Sequence, residues 1–275
     1  MSHMSAVATK AIRWIAAPIK WLVRSRWRVQ LLFLFLLNPF GLFRFDGFCL
    51  PVLNCHGCPA ASTTCPIGAS GHMLAVGAIP WMPLGIWGLI GSIFGRLSCG
   101  WVCPFGFIQD LLAKIPLPKW NPPRWTRFIK YAVLFGMVFL VAVLVGTKTR
   151  WFFCGICPAA TIFANGWYWI KEGMQVPLLR IAFLIGFVVL MLFVRRGFCR
   201  IVCPIGAGLA FFNRIALLSL KYLPRWCSDC MLCLRSCPSG KGPLENPRDA
   251  ECVYCLDCFK CSALGLDFVP DKEKK

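Results

Sequence analysis

The sequence predicts an all-α membrane protein. Four transmembrane helices form two tandem two-helix repeats, each with a cysteine-bearing re-entrant loop, and a small cysteine-rich cytoplasmic domain follows. Three observations carry this reading. The 275 residues are 58% hydrophobic and only 15% charged, with a mean hydropathy of +0.65, far more apolar than a soluble domain of this size. Paired cysteine motifs of the first half return in the second at nearly equal spacing. Eight of the eighteen cysteines crowd between Cys227 and Cys261.

Residues 1–28 read as a basic interfacial segment. Trp14, Trp21 and Trp27 lie among Lys20, Arg24, Arg26 and Arg28, the composition of a helix on an anionic membrane face or of a solvated leader. No cleavable signal peptide is expected. The first span runs from about Val29 to Phe43 and is kinked or ended by Asn38-Pro39-Phe40-Gly41.

From Gly47 through Gly95 there is no Lys, Arg, Asp or Glu. About His72 to Phe94 reads as the second span. Cys49 to Gly71 is too rich in Pro and Gly for a helix and reads as a loop dipping into the membrane, which is tolerated where protein buries it. Arg96 to Lys130 is a polar, proline-rich connector. The third span is about Tyr131 to Gly146, and the fourth about Pro177 to Val194. Between them, Trp151 to Ile170 is uncharged. The membrane domain is thus residues 29–221, with repeats of about 29–127 and 128–221, and residues 222–275 form the tail domain.

Lys and Arg concentrate before the first span, between the second and third, and after the fourth. The positive-inside rule then places both termini and the tail in the cytoplasm, and the membrane is expected to be a bacterial inner membrane. The net charge of +19 lies in blocks beside apolar spans, so a nucleic-acid partner is rejected. Spans nearly free of ionisable groups also argue against a transporter.

The tail reads Cys227-Ser-Asp-Cys230-Met-Leu-Cys233-Leu-Arg-Ser-Cys237-Pro238, then Cys252-Val-Tyr-Cys255-Leu-Asp-Cys258-Phe-Lys-Cys261. The first run is the C-x2-C-x2-C-x3-C-P spacing of ferredoxins with two [4Fe–4S] clusters, in which the fourth Cys of each run serves the other cluster. Cys227, Cys230 and Cys233 therefore pair with Cys261, and Cys252, Cys255 and Cys258 with Cys237. The second run has a shorter last gap and no proline. A zinc module is the alternative, but zinc takes pairs well separated in sequence.

In the membrane domain, Cys55-His-Gly-Cys58-Pro59-Ala60 matches Cys154-Gly-Ile-Cys157-Pro158-Ala159, and Cys99-Gly-Trp-Val-Cys103-Pro104 matches Cys199-Arg-Ile-Val-Cys203-Pro204. Cys58 and Cys99 stand 41 residues apart, Cys157 and Cys199 42. Parallel repeats put corresponding motifs on one membrane side. Cys55, Cys58, Cys154 and Cys157 then meet on the outer side, and Cys99, Cys103, Cys199 and Cys203 on the cytoplasmic side, each set sufficient for one [4Fe–4S] cluster. The alternatives are small apolar packing or outer-face disulfides. Each oxidised cluster with four thiolates carries about −2, which offsets part of the basic excess. Cys49 and Cys65 have no counterparts in the second half and read as a disulfide or spare ligands. Covalent haem needs Cys-x-x-Cys-His, whereas Cys55 to Pro59 ends in proline. If quinol is oxidised, Asp46, His56, His72 and Glu172 are the available proton acceptors.

At Arg96-Leu-Ser-Cys99-Gly-Trp-Val-Cys103-Pro104-Phe-Gly-Phe-Ile-Gln and Cys199-Arg-Ile-Val-Cys203-Pro204-Ile-Gly the chain resembles the NapH-type membrane ferredoxins that accompany periplasmic nitrate reductases. It is similar too to the membrane core of NosR and of CcoG-type proteins. The likeness covers about Arg28 to Asp267. It implies electron transfer among a cytoplasmic donor, membrane quinol and an outer-face partner such as a periplasmic ferredoxin or c-type cytochrome, as a quinol dehydrogenase component. The CcoG likeness implies an alternative role, metal reduction during maturation of a respiratory enzyme.

Overall fold

The computed structural model describes residues 21, 23, 25–39, 49–55, 57–173, 175–222, 227–228, 230–238, 248–260 and 264–267. Most of the basic N-terminal segment, Asp46, His56 and Cys261 lie outside the described residues.

The molecule is mostly helical. The first helix, Arg26–Leu37, stops at Asn38, whose side-chain amide donates to the Leu34 carbonyl as Pro39 forecloses another turn. Cys49 to Cys65 is irregular, as expected, and buried over most of its length. Pro66–Ala75 is a helix, although its first half falls in the stretch read as helix-free. Pro66 stands at the helix start, where a proline costs no hydrogen bond. Gly71 lies against the Phe152 ring, so that a Cβ there would fall 2.2 Å from it. Close packing, rather than irregularity, accounts for that glycine.

The expected second span is therefore broken. Gly77, at φ +76°, and Pro80 separate Pro66–Ala75 from Trp81–Phe94. Arg124–Leu144 is a continuous 21-residue apolar helix, about 32 Å at 1.5 Å per residue, and it is long enough to cross a bilayer. Among the described residues it alone meets that length. Trp81–Phe94 and Leu178–Phe193 are apolar but shorter. Phe135, Val143, Leu89, Ile185 and Val189 point outward, an apolar surface suited to lipid rather than water.

The two halves interlock. Trp87 fills the space over Gly208, where a Cβ would fall 2.2 Å from its ring, and Phe212 covers Gly91 at 2.9 Å. The main core runs through Val52, Leu53, Phe105, Val138, Phe153, Phe198 and Leu209 and takes in Cys65, Cys99, Cys103, Cys157, Cys203 and Cys255. Strand Ser219–Tyr222 spans the expected boundary at residue 221 and pairs antiparallel with Leu264–Asp267, Leu220 opposite Leu266. A second core joins this ribbon to Trp101, Tyr254, Cys258 and Phe259, fastening the cysteine-rich tail to the helices that precede it.

Candidate metal centres

Short helices Leu97–Trp101 and Gly197–Ile201 present Cys99 and Cys199, and Cys103 and Cys203 cap the helices Pro104–Leu112 and Pro204–Phe212. Both caps are extended, at φ −70°, ψ 118° and φ −62°, ψ 118°, as a residue before proline must be. Glycine three places on lets the preceding loop close over the cap. A Cβ on Gly106 would lie 2.7 Å from the Cys99 carbonyl, and one on Gly206 2.8 Å from that of Cys199. The four thiols are buried and meet from the two halves. Cys199 and Cys203 hydrogen-bond each other, and Cys99 and Cys103 lie close enough to interact electrostatically with Cys199.

Around this inner set the protein places positive and dipolar groups. Arg96 and Arg196 stand three residues before Cys99 and Cys199, and each crosses to the other half. Arg96 Nη2 donates to the Cys199 carbonyl at 3.1 Å, and Arg196 Nη1 to the Cys99 carbonyl at 3.3 Å. Gln109 Nε2 donates to Cys199 Sγ at 2.9 Å, and the Gly206 amide to Cys203 Sγ at 3.4 Å.

Buried cations require partners. Arg196 grips Asp110 with two hydrogen bonds, at 2.7 and 2.5 Å, and Arg26 and Gln30 add two more at 3.1 and 2.9 Å. Arg96 meets Glu251 at 3.0 Å, and Lys130 binds the other oxygen of that carboxylate at 2.5 Å. Burial pushes both carboxyls up, but Arg196 and Arg26 at Asp110, and Arg96 and Lys130 at Glu251, more than reverse it. Both therefore stay ionised.

Glu251 belongs to the tail and immediately precedes Cys252. The same segment is bonded along its length to the inner loop. Arg96 Nη1 donates to the Ala250 carbonyl at 2.8 Å, Trp101 Nε1 to that of Tyr254 at 2.8 Å, and Asn213 Nδ2 to that of Asp249 at 2.7 Å. In the tail, Cys258 lies within electrostatic reach of Cys255, Cys252 and Cys237, the set that the crossed reading assigned to one cluster. Met231, Tyr254 and Leu256, inside the C-x2-C turns, hold φ of 54°, 44° and 60°. Non-glycine residues adopt that conformation at a cost and cluster at binding sites, where it wraps the chain around a centre. Cys227, Cys230 and Cys233 lie in the facing run.

The donor chemistry fits iron–sulfur clusters. The inner set offers sulfur only, with amides and guanidinium groups supporting it. Among the described residues no three His, Cys, Asp or Glu side chains converge as they would on a single ion. Ligands of a cube sit on four separate irons and stand further apart.

Similarity points the same way. The family described as "4Fe-4S binding domain" matches the chain at residues 76–123, 129–177 and 176–222, which together cover just over half of it. The chain belongs to this 4Fe-4S binding family. An uncharacterized protein of Methanocaldococcus jannaschii is 32% identical over 187 residues, 64% of this chain and 73% of its own length. The regulatory protein NosR of Stutzerimonas stutzeri is 30% identical over 60% of this chain and 23% of its own length. The ferredoxin-type protein NapH of Haemophilus influenzae is 27% identical over 60% and 58%. No solved structure is significantly similar.

In this 4Fe-4S protein the remaining cysteines gather at the other end of the core. A small apolar cavity is lined by Leu53, Asn54, Ile67 and Phe153, by the alanines at 159 and 160, and by Cys55, Cys65, Cys154 and Cys157. Cys58 is not in the lining. It packs with Ala60, Ala61 and Ala164 and with Cys55 beside them, and its Sγ donates to the Phe163 carbonyl at 3.2 Å. The described cysteines, Cys49 and Cys65 among them, are free of disulfides. Of the groups considered as proton acceptors, His72 contacts Thr147 at 3.2 Å through Nδ1, and Glu172 is exposed. The sequence reading missed Gln109, Asp110 and Glu251, whose roles arise only from the packing. The repeated Arg-x-x-Cys offset was a signal for Arg96 and Arg196.

Proposed function

We propose that the chain is a membrane electron relay that passes single electrons through a file of [4Fe–4S] clusters between the cytoplasmic side, the quinone pool and an outer-face redox partner. Cys99, Cys103, Cys199 and Cys203 would hold the inner cluster, and the tail cysteines two more, with Cys237 and Cys261 exchanged between the runs. The clusters supply one-electron chemistry when bound. The chain's own part is to exclude water, supply sulfur, offset negative charge and fix the spacing between centres.

One observation carries the reading, namely that the inner set is touched from both ends. On the outer side the Leu53 amide donates to Cys103 Sγ, and Leu53 also lines the cavity beside Cys55. On the tail side the Val253 and Tyr254 carbonyls rest on Gly100 and Trp101. Electron transfer weakens steeply with distance, so centres separated by one stretch of backbone are what a relay requires. The apolar helices and the placing of Lys and Arg support the reading of a multi-pass membrane domain with cytoplasmic termini.

The test is vectorial. Protein reconstituted in liposomes should reduce an oxidised cytochrome enclosed in the vesicle when a membrane-impermeant reductant is added outside. Reduction no faster than in protein-free vesicles would overturn the relay.

A further inference from the structure

We propose that the outer centre is an iron–sulfur cluster held by Cys55, Cys65, Cys154 and Cys157, with Cys65 and not Cys58 as the fourth ligand. The inference rests on the relay reading and adds a ligand that the repeat pattern does not assign.

The cavity is the first ground. Its sulfur lining consists of these four residues, two from each half, while Cys58 turns away to the Phe163 carbonyl. Cys154 lies within electrostatic reach of Cys157, Cys65 and Cys55, and Cys157 of Cys55 and Cys65.

The second ground is backbone form. Cys65 is an extended cap, φ −71°, ψ 127°, with Pro66 opening its helix. Cys157 is extended too, φ −63°, ψ 123°, with Pro158 following. Cys103 and Cys203 share this form. In each case the amide three residues on, at Gly68, Gly106, Ala160 or Gly206, donates to the cysteine sulfur; the Ala61 amide does the same at Cys58, so the helix behind the cysteine is what sets these four apart. A thiolate at a helix start gains those donors and the positive end of the helix dipole. Cys65-Pro66-Ile67-Gly68 even repeats Cys203-Pro204-Ile205-Gly206 residue for residue. Cys58 is followed by Pro59, but its segment forms a turn and no helix.

The third ground is charge. Arg180 lies within electrostatic reach of both Cys55 and Cys154, which brings a positive charge to the site.

The deciding experiment is anaerobic iron and acid-labile sulfide analysis with EPR on the full chain, unsubstituted and as Cys58→Ser and Cys65→Ser. The unsubstituted chain should hold about sixteen irons. Cys58→Ser should keep that number and the spectrum. Cys65→Ser should lose about four irons or, with serine oxygen as ligand, keep them with one signal shifted. Loss of about four irons in Cys58→Ser would overturn the inference, and so would a Cys65→Ser protein identical to the unsubstituted one. If Cys65→Ser does not accumulate, Cys58→Ser decides alone: sixteen irons support the assignment and twelve overturn it. About twelve irons in the unsubstituted chain would remove the outer centre and leave the inner and tail clusters standing. About eight would bring down the relay reading itself.

Discussion

Gly100 and Val253 touch: a Cβ on Gly100 would lie 2.3 Å from the Val253 carbonyl oxygen. This is where the tail domain rests on the loop between Cys99 and Cys103. The contact leaves no room for a methyl group, and backbone on both sides prevents easy relief. Gly100→Ala should therefore lift the tail from the inner loop, at about 1–3 kcal/mol. Hydrogen exchange should show the amides of Cys252–Phe259 losing about five- to a hundredfold protection, while Arg124–Leu144 is unchanged.

Arg96, Lys130 and Glu251 make a buried triad across that interface, with relative exposures of 0%, 0% and 6%. Removing the anion strands two cations. Glu251→Gln should destabilise the docked tail by about 3–5 kcal/mol, whereas replacing all three by apolar residues of similar volume should cost far less. Thermal unfolding of the two variants in the same detergent checks the difference.

In the proposed inner cluster the crossed arginines would raise the potential. A fixed positive charge favours the reduced, more negative state of a cluster. Arg196→Gln should lower the midpoint potential of one cluster by on the order of 100 mV, and the loss of the Gln109 hydrogen bond to Cys199 in Gln109→Leu by tens of millivolts, about half as much or less. EPR-monitored redox titration reads both. An unchanged set of potentials in Arg196→Gln would separate that residue from the centre.

Much of this site was legible because the chemistry is written in spacing. C-x3-C-P occurs twice, and proline after cysteine dictates both the extended cap and the helix behind it, so the inner set could be assembled from sequence alone. The proposed exchange of Cys237 and Cys261 rests on the ferredoxin spacing in the same way, and the structure holds Cys237 within electrostatic reach of Cys252 and Cys258. Spacing does not show which of two similar motifs starts a helix. Cys58-Pro-Ala-Ala copies Cys157-Pro-Ala-Ala, so the repeat points to Cys58, whereas the proposed ligand Cys65 stands where Pro66 opens a helix inside a glycine-rich stretch. Glu251 escaped for another reason. Nothing near it in the chain announces two buried cations, and Arg96 and Lys130 arrive from more than a hundred residues away.

The tail pairing carries its own prediction. Cys237→Ala should remove the cluster of Cys252, Cys255 and Cys258, about four irons, and leave the EPR signal of the inner centre intact. Loss of the facing cluster instead would mean that the fourth cysteines are not exchanged.

The central claim is that sulfurs from both halves of the membrane domain hold a cluster between the outer loops and the tail. Iron and acid-labile sulfide counted anaerobically in Cys99→Ala/Cys199→Ala, against the unsubstituted chain, test it most directly. The account predicts a loss of about four irons and of one EPR signal, with the tail clusters retained. Equal iron and an identical spectrum in the two proteins would contradict it.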